Sequence, residues 1–452
     1  MKRVDRRGFL KTSLTVAAGI PVLTSPWVAA SASSPNERIR AAVVGVRGRG
    51  QSLIACLHQM AQDNVELVAL CDVDEKVLRE RAATYEERTG KKVQTLADMR
   101  KVFDDKNIDV VCFGTPNHWH ALGTIWACQA EKDVYVEKPG SHNIFEGRKM
   151  VEAARKYNRI VQHGTQCRSS FFIREGIQKL HEGLIGDVYM ARGIAFKLRN
   201  SMGRIVDAPT PEGLDWDKWL GPAPKVPYAQ VRRNSWHNLW DYGNGEIGNQ
   251  GVHQMDVIRW GMKLDTHPVK VQSMGGTFVH DDDQQTPSIQ VAAFQFKDRN
   301  VMVDFEVRHW YTNCEAGMGD LYPFVDKKNV VGVIFFGTEG YMVIPDYSSY
   351  HTFFGQKREP GPSGSDPRDP MIDLPHVQNF IAAVRSRKPS DLNAEISEGH
   401  FSSAMCHLAN IAYRTERTLS FDPTSERFVD DDEANAYISR EYRAPYVVPE
   451  KV

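Results

Sequence analysis

The stretch Ile39-Arg40-Ala41-Ala42-Val43-Val44-Gly45-Val46-Arg47-Gly48-Arg49-Gly50 runs from a short apolar segment into a glycine-rich turn. The small and β-branched residues predict a buried strand, and the spacing from Gln51 onward predicts a helix after the turn. Strand, glycine turn and helix in that order make a corner where backbone N–H groups face a phosphate. Gly45 and Gly50 hold the first and sixth positions of the dinucleotide fingerprint, Arg47 stands at the third, and Gly48 follows it. The third position is where the backbone usually comes close to the pyrophosphate. Gly48 is expected to take over part of that role, so Gly45, Arg47, Gly48, Arg49 and Gly50 are read together as the binding turn. The next strand, 65–71, ends at Asp72. A carboxylate there can bind both ribose hydroxyls and repel a 2′-phosphate, so NAD is expected over NADP.

Outward from this corner, strands at 108–113, 134–136 and 160–162 alternate with helices near 75–87, 96–103, 118–130 and 144–157. That pitch means an α/β parallel sheet with right-handed crossovers. The first domain is expected over 36–163 and a second over 164–450, because 452 residues exceed what one core usually serves. With 41% hydrophobic and 25% charged residues, the chain is neither mainly disordered nor collagen-like nor a coiled coil. Lys plus Arg is 56 against 57 Asp plus Glu, with no basic stripe, so nucleic acid is not an expected partner. Cys56, Cys71, Cys112, Cys128, Cys167, Cys314 and Cys406 include no CxxC pair. Most sit in apolar runs and read as buried thiols.

Two more stretches are specific: Thr115-Pro116-Asn117-His118-Trp119-His120 and Glu137-Lys138-Pro139. With the glycine turn they resemble the Gfo/Idh/MocA family, the glucose–fructose oxidoreductase and inositol dehydrogenase-like enzymes, over roughly residues 38–415. The resemblance implies an N-terminal Rossmann domain that binds NAD and a C-terminal α+β domain on a large open, mostly antiparallel sheet. It also implies sugar or cyclitol substrates and homodimers or homotetramers packed through that sheet. Thr115, Pro116, Asn117 and His120 would border the cofactor, with Glu137 on the nicotinamide side and Lys138 catalytic. The chemistry of Lys138 also stands alone. Functional groups gather past the carboxyl ends of strands in open α/β sheets. A partly buried lysine there has a lowered pKa and can exchange a proton with a substrate oxygen. His118 and His120 lack a cysteine or carboxylate at ligand spacing, so no metal is expected.

In the second domain, 206–228 is rich in Pro and Trp and reads as an ordered excursion over the surface. The loop from Trp236 to Gly251 alternates glycine with aromatic and amide groups, which can wrap a polyol. Here Trp236, His237, Asn249 and Asp256 are expected to bind substrate. By the resemblance, His253 falls on the family's catalytic histidine, and Asn249 replaces the family's aspartate four residues earlier. Asn249 and His253 are i and i+4, which predicts one helical face. Asn249 cannot take a proton, so His253, with an unperturbed pKa near 6.5, is expected to be the base, assisted by Lys138. Strands follow from Val269, with 346–370 read as a long extended connection and helices near 375–386 and 398–414.

The N-terminus reads as an address. Arg3, Arg6, Arg7 and Lys11 precede the apolar run 14–30, and Ala30-Ser31-Ala32 offers small residues for cleavage. Arg6-Arg7-Gly8-Phe9-Leu10-Lys11 resembles a twin-arginine signal, so residues 1–34 are expected to be an export signal and linker. This implies a periplasmic protein with no stable membrane span once the signal is removed. The reading as a whole is an NAD-dependent oxidoreductase acting on a secondary hydroxyl of a sugar, cyclitol or glycoside. Outside the cytoplasm a tightly bound cofactor would resolve the lack of a free NAD pool. An NAD-dependent glycoside hydrolase or lyase working by transient oxidation, and a non-catalytic carbohydrate-binding protein, are the alternatives.

Overall fold

A computed structural model describes residues 38–297, 299–311, 329–365 and 372–452. The export signal expected over 1–34 and Cys314 lie outside the described residues. Residues Ile39–Val452 form one compact unit.

Its first sheet holds β1 (Ile39–Val44), β2 (Val65–Cys71), β3 (Gln94–Leu96), β4 (Val110–Phe113), β5 (Asp133–Val136) and β6 (Val161–His163). The order is β3-β2-β1-β4-β5-β6, and every pair is parallel. All four residues of β4 and of β5 are buried, because helices cover both faces of a parallel sheet. Strand order reverses between β1 and β4, and that switch point opens a crevice at the carboxyl ends. The edge strand β3, short and largely exposed, carries no apolar pattern from which sequence could read it.

The second sheet has ten strands: β7 (Val188–Lys197), β8 (Lys270–Gly276), β9 (Ile289–Gln295), β10 (Met302–His309), β11 (Asn329–Gly337), β12 (Gly340–Ile344), β13 (Ser349–Phe354), β14 (Glu359–Ser365), β15 (Leu419–Asp422) and β16 (Arg427–Phe428). Its order is β14-β13-β12-β11-β7-β10-β9-β8-β15-β16, antiparallel except where β7 meets β10. Helices Gly251–Met262 and Ile396–Thr415 cover one face, where Ile258, Phe305 and Phe335 are buried in the same core. On the other face Met274 stands opposite Val291, and both are exposed.

The expected connection over 346–370 is instead largely the hairpin β13–β14. Proline misled the reading. Pro360 and Pro362 lie on β14, at the edge of the sheet, where a missing N–H costs no ladder bond. Buried Tyr350 and Thr352 anchor β13.

The C-terminal part of the chain returns to the first sheet. Helix Asp373–Ser386 packs Val377, Phe380 and Ile381 against Leu53 and Tyr135, and Tyr446 and Val448 share a core with Trp119. All six described cysteines are buried and free.

Candidate active site

A cavity of about 410 Å³ follows the carboxyl ends of β1, β2, β4 and β5. At one end three glycine backbones touch. Gly45 sits at φ +81°, and a Cβ on it would come within 2.8 Å of Gly114. A Cβ on Gly50 would lie 2.0 Å from the Gly45 carbonyl oxygen. Gly48, at φ +28°, has open space above it. Helix Gly48–Gln59 has no side-chain cap and no acidic residue in its first turn, so its N-terminal N–H groups are left for an anion. This cradle fits the diphosphate of a dinucleotide. Beside it, Asp72 accepts from the N–H groups of Val46 (2.9 Å) and Asp74 (3.0 Å). Burial raises its pKa against those hydrogen bonds.

At the other end, Lys138 Nζ donates to the main-chain oxygen of Asn249 at 2.7 Å and lies 3.5 Å from its side-chain oxygen. Burial lowers the Lys138 pKa to about 8; Glu137 opposes this, and the cations Lys197 and Arg49 add to it. Glu137 does not hold the ammonium directly. It is 2% exposed and accepts from Arg49 (2.7 Å) and Gln166 (3.1 Å). Arg49 also spans to Asp373 on the returning helix at 2.9 Å. Deeper in, Lys197 and Arg199 converge on buried Glu246. Burial pushes the pKa of Glu246 up, but His309, 3.8 Å away, and the two cations prevail and hold it below the usual carboxylate range.

The cavity wall brings together Gly45, Arg47, Gly48, Arg49, Asp72, Thr115, Pro116, Asn117, Glu137, Lys138, Trp236 and Asn249. Other expected residues stand behind it. Gly50 packs on the Gly45 carbonyl. Both ring nitrogens of His120 face carbonyl oxygens, of Pro139 (2.7 Å) and Thr115 (2.8 Å), so it braces two strand-end loops rather than lining the cavity. Asp256 is fully buried, paired with Arg168 at 2.8 Å and bonded to Ser402, which leaves it structural rather than substrate-facing. His237 packs edge-on against Trp236, and burial lowers its pKa to about 4.

The expectation for His253 changes most. Gln250 separates two helices, Gly245–Asn249 and Gly251–Met262, so Asn249 and His253 do not share one continuous helical face. His253 is buried beside the ring of Tyr347, with its Nδ1 unpartnered. Burial first, then Lys138, Arg49 and Lys197, drives its pKa well below 6.5. The histidine is therefore neutral and weakly basic, and Lys138 is the group with a pKa near working range.

Sequence reading missed the roof. The excursion holds a short helix, Trp216–Leu220, with Trp216 and Trp219 stacked 4.5 Å apart. It is not a surface detour. Leu214, Lys218, Trp219 and Arg233 line the cavity, and the backbone of Asp215 and Gly213 bonds Val73 and Glu75. Arg233 pairs with Asp74, which caps helix Glu75–Thr89. The carbonyl of Trp219 meets His118 Nε2 at 2.9 Å. Four tryptophans within 216–240 were the available signal, since rings of that size are seldom left in a surface loop.

Residues 39–165 match the Gfo/Idh/MocA profile described as an oxidoreductase family, NAD-binding Rossmann fold. Residues 184–307 and 368–448 match the companion oxidoreductase-family C-terminal alpha/beta domain. A glycosyl hydrolase family 109 protein of Solibacter usitatus is 25% identical over 79% of this chain and 78% of its own. A levoglucosan dehydrogenase of Pseudarthrobacter phenanthrenivorans is 32% identical over 36% of this chain and 35% of its own. Among solved structures, the fold is shared with an aldose–aldose oxidoreductase of Caulobacter crescentus (TM-score 0.62, 17% identity, 85% of this chain and all of that one). It is shared equally with the WlbA dehydrogenase of Bordetella pertussis (TM-score 0.62, 18% identity, 85% and 99%).

Proposed function

Because the chain belongs to the Gfo/Idh/MocA family of NAD-binding oxidoreductases, we propose that it oxidises a secondary hydroxyl of a sugar, cyclitol or glycoside. The observation that carries this reading is the setting of Lys138. Its ammonium, lowered to about 8, stands at the end of a cavity whose other end is a phosphate cradle. Bound NAD supplies the acceptor for a hydride from the carbinol carbon. Gly45, Gly48 and the uncapped helix N-terminus hold the diphosphate, and Asp72 receives the ribose hydroxyls. Neutral Lys138 takes the hydroxyl proton as the carbonyl forms. Asn249 steers the lysine with its main-chain oxygen and leaves its amide for a substrate hydroxyl, while Trp236 shapes the wall. The dehydrogenase among the relatives supports a sugar substrate.

A second reading, transient oxidation that cleaves a glycoside with no net redox, has its own support. One relative that aligns over 79% of the chain is a glycosyl hydrolase family 109 protein. The roof over 213–236 closes on the cavity, which suits a cofactor that stays bound through many turnovers. Carbon-deuterated glycosides and free sugars, run side by side, separate the two. Net NADH marks the dehydrogenase. Bond cleavage with a deuterium effect and no net NADH marks the hydrolase or lyase.

Export by the twin-arginine route belongs to the same proposal. Lys in place of Arg6 and Arg7 is expected to leave unprocessed protein in the cytoplasm, and unchanged processing would refute it. Assembly into dimers or tetramers through the open sheet is supported by the exposed Met274, Val291 and Met302, which share one face. Among the described residues no helix is long and apolar enough to cross a membrane.

A further inference from the structure

A second cavity of about 330 Å³ has Asn244 in its wall. Its lining comes from segments distant in sequence: His142 and Asn143, the loop 240–244, helix Ile396–Thr415, and the tail 436–441. Asn244, Asn410 and His407 are each at most 5% exposed. Asn244 also bonds Asn117 of the first cavity at 3.1 Å, so the two cavities share a wall. Trp240 and Tyr437 supply aromatic faces, and Arg414 stacks on both, 5.0 and 4.1 Å from the ring centres.

The guanidinium groups here are not matched to carboxylates. Arg440 donates from Nη1 to the Asp241 carbonyl oxygen at 2.8 Å and approaches His142 Nδ1 at 3.3 Å. Its Nε and Nη2 are buried without an acceptor. Neither Arg414 nor Arg440 forms an ion pair among the described residues, although Asp241 and Glu441 also line the cavity. Glu146 lies behind the wall, and burial pushes its pKa up to about 7, so it offsets Arg440 only in part. A buried N–H without a partner is costly, and a ligand oxygen would relieve that cost.

Aromatic faces take the C–H side of a sugar ring, and guanidinium groups take a carboxylate with two parallel bonds. We propose that this second cavity is a subsite for an acidic sugar, a hydroxylated ring or chain bearing a carboxylate, distinct from the NAD cavity. Arg440 and Arg414 hold the carboxylate, and Trp240 and Tyr437 lie against the ring. The acid can be free or can be the end of an oligouronide.

Calorimetry on the NAD-loaded full chain tests this, with D-glucuronate, D-glucose, acetate and a galacturonate trimer as probes. D-Glucuronate is expected to bind, with glucose and acetate each at least tenfold weaker. Arg440→Met and Arg414→Met should each weaken glucuronate at least tenfold, while Lys138→Ala leaves it unchanged. Arg414 is exposed, so its variant should fold even if the Arg440 variant does not. A trimer that binds more tightly than the monomer identifies a chain end, and the reverse identifies the free acid; either supports the subsite. No glucuronate binding, glucose binding of equal strength, or loss in Lys138→Ala but not in Arg414→Met would overturn it. The readout is binding rather than turnover, so its failure leaves the role of Lys138 untouched.

Discussion

The two ends of the NAD cavity are made of different material. At the Asp72 end the work is done by backbone: three glycines in contact, a bare helix N-terminus, and a carboxylate fixed by two main-chain N–H groups. At the Lys138 end it is done by side-chain charge. Lys138, Arg49 and Lys197 crowd one region, and Glu137 and Glu246 are spent on the arginines and on Lys197. Backbone geometry tolerates no added atom but is indifferent to pH. Crowded charge accepts shape changes but titrates. Substitutions at the first end should therefore read out as cofactor binding, and those at the second as rate.

The largest effect is expected from Lys138→Ala, a loss of about 2–4 orders of magnitude in turnover with NAD still bound, as for other general acid–base groups. Loss of NAD along with rate would blur the division between the ends. The pH profile of the parent comes next. The lysine pKa is lowered to about 8, and oxidation needs the neutral form. The rate of alcohol oxidation should rise about tenfold per pH unit below 8 and level off above it. A break near pH 6.5 instead would return the base role to His253.

At the Asp72 end, Gly50→Ala places a methyl 2.0 Å from the Gly45 carbonyl. We expect a stability loss of about 1–3 kcal/mol, seen as a lower Tm, with weakened NAD binding. An unchanged Tm would mean the turn yields more easily than its geometry suggests. Asp72→Asn should move the NAD-to-NADP affinity ratio toward NADP by about tenfold, roughly 1.4 kcal/mol. An unchanged ratio would leave Asp72 as a loop anchor only. Smallest of all, Arg233→Ala removes one tie between the roof and Asp74. It should speed NAD release about threefold in stopped-flow displacement, some 0.6 kcal/mol. Acceleration of a hundredfold or more would make the roof, not the cradle, the main hold on the cofactor.

Periodicity and glycine placement determined the first domain in advance. The alternation of β1, β2, β4, β5 and β6 with helices is a local pattern, and a parallel sheet results from it because each crossover is constrained in hand and length. Glu137 and Lys138 were legible for the same reason, since the residues just past a strand's carboxyl end project into the crevice. Most strands of the second sheet were also visible as apolar runs. Tertiary structure alone decided three things. Pro360 and Pro362 could form a strand because β14 happens to lie at the edge, and edge position is a property of the whole sheet. The Trp-rich excursion became a roof because its rings found Val73 and His118 in another part of the chain, a pairing no local pattern encodes. And the pKa values of His253 and Lys138 moved as they did because a pKa depends on burial and on charges gathered in space, here Arg49 and Lys197, which lie far from both residues in sequence.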